Sequence, residues 1–318
     1  MVERVGRWLA WLPEHWPRLH ALASCEPAGD FSLPHPTEAA SLLARLNVPP
    51  QAIAEIVEAL PSPADTEAWW LLERLHHAVV ATDEGWFDPP WPAPWPTDDP
   101  FTRHFHTYVF LAAVPHVLAV HGARGIGTEV TWDTLTDIGL QIANYEVRLG
   151  QPGFDGAVWV WPHFRGDVFR LGRLQYDLTT IGFVDEGVVL GEPAVAVHIP
   201  ALGPLTPDAC DASFEQARTF FPRHFPERAH RVVTCRSWLM DDQLADHLSE
   251  TSNIVRFQRR FRVADGGTPA NDDVIRYVFG HLPSSLDDLP QESSVQRAIV
   301  SHVRAGGTWL MRDGWFEL

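Results

Sequence analysis

Lysine is absent: all 24 basic side chains in the 318-residue chain are arginine. The plain reading of that absence is genomic base bias. Positive charge is also outnumbered, with 41 acidic residues and a net charge of −17. This excludes the dense cationic surface that non-specific nucleic-acid binding needs. It also argues against an anionic membrane surface as partner. Cysteine is scarce: Cys25, Cys210 and Cys235 lie far apart, with no Cys-x-x-Cys pair. A disulfide framework and a zinc ribbon are thereby excluded, and a reducing cytoplasm is expected. The N-terminus carries Glu3 and Trp-rich amphipathic sequence where a basic, then apolar, leader would stand. No apolar run reads as long enough to span a bilayer. His76, His77, His104, His106, His116 and His121 never form His-x-x-x-His on a helix, so no metal is assigned.

What is present suits one large or two ordinary domains, with 45% apolar residues to build a core. The first part reads as helices. Val5, Trp8, Leu9, Leu12, Trp16 and Leu19 have helical spacing broken by Pro13 and Pro17. Thr37 to Leu46 and the stripe Ile53, Ile56, Val57 and Leu60 follow. Ser62 and Asp65 predict the start of a further helix through Trp69, Leu72, Leu75 and Val79. Residues 85–100 are too rich in proline for helix or central strand. Their Trp86, Trp91 and Trp95 either pack the connection down or wall an apolar ligand. Residues 101–121 and 130–149 read as two more helices.

The period then changes to two. Residues 157–161 and 169–178 read as strands, with Leu171, Arg173, Gln175 and Asp177 on one face of the second. His163 to Asp167 reads as a hairpin turn. A strand at 194–199, a helix at 207–222 and a strand at 231–239 follow. Thr206 is the helix cap, and Pro207 sits at its first position. A short helix is expected at 241–249, capped by Asp241, and a strongly alternating strand at 253–263. Short elements at 272–279, 295–305 and 308–316 complete the chain. The expected fold is α/β (α+β): a helical domain at 1–125, then a mixed β-sheet flanked by helices at 126–318.

His198 stands near the carboxyl end of a strand, before a loop and a helix start, where open α/β sheets bind ligands. A histidine there suits a general base; the alternative is a core histidine bonded to a carbonyl. The helix start at Pro207 is a weak phosphate cradle, because Asp208 and Asp211 are acidic and Pro204 and Pro207 lack donors. Arg256, Arg259, Arg260 and Arg262 either hold phosphates or pair with acidic neighbours. Cys235 is either a nucleophile or a small buried hydrophobe.

The carboxyl-terminal half resembles the C-terminal domain of GNAT-like acyltransferases, a family found mainly in bacteria. The resemblance is carried by Leu171-Gly172-Arg173-Leu174-Gln175-Tyr176, His198-Ile199-Pro200, Gly203-Pro204-Leu205, Cys210, Ser213 and Phe220-Phe221. Cys235-x-Ser237-Trp238-Leu239, Ser252-Asn253-Ile254, Phe257 and Phe279-Gly280 also contribute. The first half resembles the helical N-terminal domain of that family. The resemblance implies a sheet in which strands 194–199 and 231–239 splay apart around an acyl-CoA thioester. A small amine or hydroxyl acceptor would attack the thioester directly. His198 would be the base, with Cys235 and Ser237 near the thioester. Arg173, Gln175, Tyr176 and Asn253 would line the acceptor side. Gly203, Leu205, Thr206 and Ser213 would hold the donor. The chain departs from the family at Ala201-Leu202-Gly203-Pro204-Leu205-Thr206, where Arg/Gln-x-x-Gly-x-Gly/Ala is usual. The donor is then held by other contacts, or is another acyl carrier. The alternative function is a non-catalytic ligand-binding or regulatory module on a degenerate fold. A cysteine-dependent thioester hydrolase would need a basic partner for Cys235, and the sequence names none.

Overall fold

The structure is a computed structural model that describes residues 1–8, 16–24, 27, 31–81, 98–228 and 231–318. Cys25 and the expectations for Trp86, Trp91 and Trp95 lie outside the described residues. Two compact units divide at Val168 and Phe169. That division falls later than the 125/126 boundary expected from the sequence, because three more helices join the first unit.

The first unit is helical: α1 (Val2–Trp8), α2 (Trp16–Ser24), α3 (Pro36–Arg45), α4 (Pro50–Glu58), α5 (Thr66–Val80), α6 (Pro100–Arg103), α7 (Phe105–Ala123), α8 (Thr128–Leu135), α9 (Asp137–Leu149) and α10 (Ala157–Arg165). Pro36, Pro50 and Pro100 each open a helix, where a missing N–H costs nothing. Helix α5 starts later than Ser62, because the Asp65 carboxylate accepts from the Ser62 N–H at 2.8 Å and closes a turn first. Helix α7, at 19 residues, has the length and composition of a membrane span, which the sequence reading did not register. Its residues Tyr108, Phe110, Val114 and Val117 are nevertheless buried in the unit's own core. A helix apolar on all sides is the central helix of such a core.

Residues 157–161 form the start of α10, not a strand. Ala157, Val160, Trp161 and Phe164 are buried on it, together with Pro162 and His163. Their i, i+3, i+4, i+7 spacing is helical once the window extends past Trp161. His163 to Asp167 is therefore a helix end, closed by Gly166, and not a hairpin turn. The expected helix 130–149 is two helices with a break at Thr136.

The second unit is built on a seven-stranded sheet of order β1-β2-β3-β4-β7-β5, with β6 also pairing β7. The strands are β1 (Val168–Leu171), β2 (Leu174–Thr180), β3 (Pro193–His198), β4 (Val232–Ser237), β5 (Arg262–Val263), β6 (Thr268–Pro269) and β7 (Leu310–Glu317). The helices are α11 (Pro207–His224), α12 (Leu244–His247), α13 (Asn253–Gln258), α14 (Asn271–Phe279) and α15 (Ser294–Arg304). The single strand expected at 169–178 is two strands. Gly172, at φ +68°, turns the chain between them, in a region that L side chains avoid. Arg173 thus belongs to a turn and no longer shares a strand face with Gln175 and Asp177. The strand expected at 253–263 is α13 followed by the short β5. Ser252 caps α13, its hydroxyl accepting from the Val255 N–H at 3.3 Å. Gln258 is buried and donates to the carbonyls of Leu239 and Asp241. Asp241 does not cap α12, whose N-cap is Gln243; its carboxylate accepts from the Gln243 and Leu310 N–H groups instead.

Helix α11 connects β3 to the parallel β4. Its buried Phe214 and Phe221 lie 6.3 and 6.1 Å from the Tyr176 ring on β2. Each ring buried there contributes about 1.5–3 kcal/mol. One sheet face is thus committed to α11. Gln175, Asp177, Ala196 and His198 alternate onto the other.

Candidate acyl-transfer site

The site begins where two strands stop pairing. Strands β3 and β4 are paired in parallel from Ala194–Val232 to Ala196–Thr234, and no further. Strand β3 continues to His198 beside β2, while β4 continues to Ser237 beside β7. Past Ala196 and Thr234 the sheet therefore splits, with each strand held by its outer neighbour. A split of this kind opens backbone donors and acceptors to an extended ligand.

His198 is the last residue of β3, at the mouth of the split. Its Nε2 lies 2.8 Å from Asp177 Oδ1, and the two side chains are 31% and 16% exposed. A carboxylate can only accept here, so Nε2 carries the proton and the neutral ring has its basic lone pair on Nδ1. Asp177 comes from β2, where Gln175 stands opposite His198 in the register.

Beyond His198 runs the loop to α11. Thr206 is the N-cap by its backbone, and its side chain makes no capping bond. Leu205 is buried and anchors the loop, and Gly203 takes φ +68°. The acidic charge expected to spoil this helix start is partly offset. Arg260 donates to Asp211 at 2.7 Å and to the Pro207 carbonyl at 3.2 Å.

An N-acyltransferase N-terminal domain matches residues 37–166, and a GNAT-like C-terminal domain matches residues 168–316. The chain belongs to the GNAT-like acyltransferase family. Similar solved structures cover 100% of this chain and 99% of their own. One is a mutant acyltransferase with octanoyl-CoA, at 39% identity and TM-score 0.90. Another is an acyltransferase with CoA and 10C-teicoplanin, at 39% identity and TM-score 0.91. A third is an acyltransferase with decanoyl-CoA and teicoplanin, at 38% identity and TM-score 0.91. No curated protein matches the chain. The chemistry is acyl transfer from an acyl-CoA thioester to an amine or hydroxyl acceptor.

In this acyltransferase several residues expected at the reacting centre make contacts within the fold. Cys235 is buried, and desolvation pushes its thiol up to about 12, with the Asp313 carboxylate adding to the shift. Such a thiol is no nucleophile at neutral pH. A Cys235→Ala variant is expected to keep kcat within about twofold and to lose about 1 kcal/mol of stability. Steady-state kinetics and a thermal melt check both. The Ser237 hydroxyl accepts from the Leu239 N–H at 3.1 Å and caps the 3-10 turn Trp238–Met240. Tyr176 and Ser213 are buried against each other at 2.9 Å, on the α11 side of the sheet. Burial raises the Tyr176 phenol far above its ordinary range. Neither lies on the His198 face. The Arg173 guanidinium donates to three loop carbonyls. Asn253 opens α13 behind the Ser252 cap.

The arginine cluster is mostly paired. Arg259 meets Glu250, and Arg262 meets Asp185 and Glu186. Asp177 shares the Gln175 face in the sequence pattern, and only the fold brings it to His198.

Proposed function

We propose that this enzyme moves a medium-chain acyl group, of the octanoyl to decanoyl class, from CoA to a teicoplanin-type acceptor. The support for acyl length and acceptor is the set of similar structures, matched over 99% of their length, that hold octanoyl-CoA, decanoyl-CoA and teicoplanin. The observation that carries the mechanism is the His198–Asp177 pair at the mouth of the β3–β4 split.

The donor's arm lies in the split, with its thioester near His198. The loop 199–206 and the start of α11 receive its phosphates. The acceptor's nucleophile attacks the thioester carbonyl while His198 Nδ1 takes its proton. The tetrahedral intermediate collapses, the C–S bond breaks and CoA leaves as a thiolate. The proton on His198 is then available to that thiolate. Asp177 keeps Nε2 protonated throughout and stabilises the imidazolium that forms. A non-catalytic module would have no use for this solvent-reachable pair. The buried free thiols of Cys210 and Cys235 support a reducing, cytoplasmic setting.

The test is an incubation of the protein with decanoyl-CoA and an unacylated teicoplanin-type acceptor. One decanoyl group appears on the acceptor, matched by one equivalent of free thiol. Acceptor of unchanged mass would overturn the reading. In the same assay Asp177→Asn is expected to lose about 10–100-fold in kcat with little change in KM. The asparagine amide can donate to Nε2, which moves the ring proton to Nδ1 and hides the base.

A further inference from the structure

The loop from Ile199 to Thr206 has few bonds of its own. Pro200 and Pro204 have no N–H, and within the loop the Leu202 N–H reaches the Pro200 carbonyl at 2.8 Å. Its shape is held from outside. Arg173, in the β1–β2 turn, donates to three of its carbonyls: Nη1 to Pro200 at 3.1 Å, Nη2 to Gly203 at 2.9 Å and Nε to Pro204 at 3.2 Å. The planar guanidinium fork serves these three acceptors at once, in one fixed geometry.

Peptide geometry turns this clamp into a statement about donors. The described peptide bonds are all trans. In a trans peptide the N–H points opposite to the C=O of the same unit. With the Pro200 and Pro204 carbonyls facing Arg173, the N–H groups of Ala201 and Leu205 face away from it. Neither N–H has a hydrogen-bond partner among the described residues. Ala201 is exposed, and the Leu205 N–H follows directly on the exposed Pro204, while the rest of Leu205 is buried and anchors the loop. Two outward N–H groups, fixed by a cation on their far side, suit anionic oxygens.

We infer that Arg173 is a positioning residue for the acyl donor: it fixes the loop 199–206 so that the Ala201 and Leu205 N–H groups meet the donor's diphosphate. This rests on the reading that the donor lies at the β3–β4 split. It also answers the loop's departure from the glycine-rich family pattern. Arg173 supplies from another turn the order that the loop's own sequence lacks.

The experiment compares wild type, Arg173→Met and Arg173→Lys with two donors, decanoyl-CoA and decanoyl-pantetheine. The second has the same arm and thioester but no diphosphate. If the loop in Arg173→Met holds its binding shape about a tenth of the time, KM for decanoyl-CoA rises about tenfold. The kcat stays near wild type, and kcat/KM with decanoyl-pantetheine is unchanged. Arg173→Lys keeps the charge and loses the fork, and it shows the same selective loss. It carries the test should the methionine variant melt below assay temperature. Unchanged KM for decanoyl-CoA in a folded variant overturns the inference. So does an equal loss with both donors, or a fall in kcat, since a merely structural arginine would produce either. Calorimetry of wild type with CoA separates the two layers: no binding removes the donor reading itself, and this inference with it.

Discussion

Replacing His198 by alanine lowers kcat by about 10²–10⁴-fold, the usual worth of a positioned general base. That corresponds to about 3–5.5 kcal/mol of transition-state stabilisation. The affinity for CoA, measured by calorimetry, stays at the wild-type value, because the imidazole acts on the acceptor's proton and not on the donor. The fold should also survive. His198 ends its strand and is about a third exposed, so truncation leaves no sealed cavity. The double variant with Asp177→Asn is the sharper measurement. If Asp177 acts only through the ring at 2.8 Å, its substitution costs nothing more once His198 is gone. A His198→Ala enzyme with full activity removes the base assignment. Additive losses in the double variant remove the pairing.

The frame of this site was legible in residues 194–221. Val195 and Val197 alternate within the strand, which ends at His198, two residues before Pro200, and Thr206 with Pro207 starts a helix. Local chemistry decides each of those features. The partner of His198 was not legible in that way. Asp177 meets it because β2 and β3 pair with Gln175 opposite His198. That register depends on how the connection 181–192 folds, and no turn signal in it fixes a count. The hairpin at Gly172 was missed for a related reason. Arg173 and Gln175 continue an alternation that a two-residue turn interrupts without altering its period.

The errors at 157–161 and 253–263 share one physical cause. Short apolar runs fit both periods, and tertiary burial decides between them. Phe164 and the Ser252 cap were the two signals that favoured helix. Cys235 and Ser213 show the limit for sites. Their residue types are those of catalysts, and only burial reveals that one is inert and the other bonded to Leu171 and Tyr176.

The first unit should unfold on mild acidification, and three buried histidines of one helical segment set the pH. Desolvation holds His104 at about 4, with the Arg103 guanidinium beside it adding to the effect. Complete burial holds His106 at about 3. Desolvation also holds His121 at about 4, against the opposing pull of the Gly166 carbonyl. Glu55 lies 3.8 Å from His104 but is already engaged by Arg103 at 2.5 Å, so it does not rescue a charged ring. In the unfolded chain each imidazole titrates near 6.5. Below that value the unfolded state binds protons that the folded state refuses, so stability is complete above pH 6.5 and falls as pH drops toward 4. Three such groups give a slope of up to about 4 kcal/mol per pH unit. Against a typical domain stability of about 5–15 kcal/mol, the midpoint lies near pH 5, roughly. Far-ultraviolet circular dichroism against pH reads the helical unit directly. A His106→Phe variant, which removes one titrating ring and keeps an apolar one, shifts the midpoint lower and flattens the slope by about a third. A wild-type transition confined below pH 4, in the ordinary carboxylate range, would show that these imidazoles do not govern the unit's acid stability.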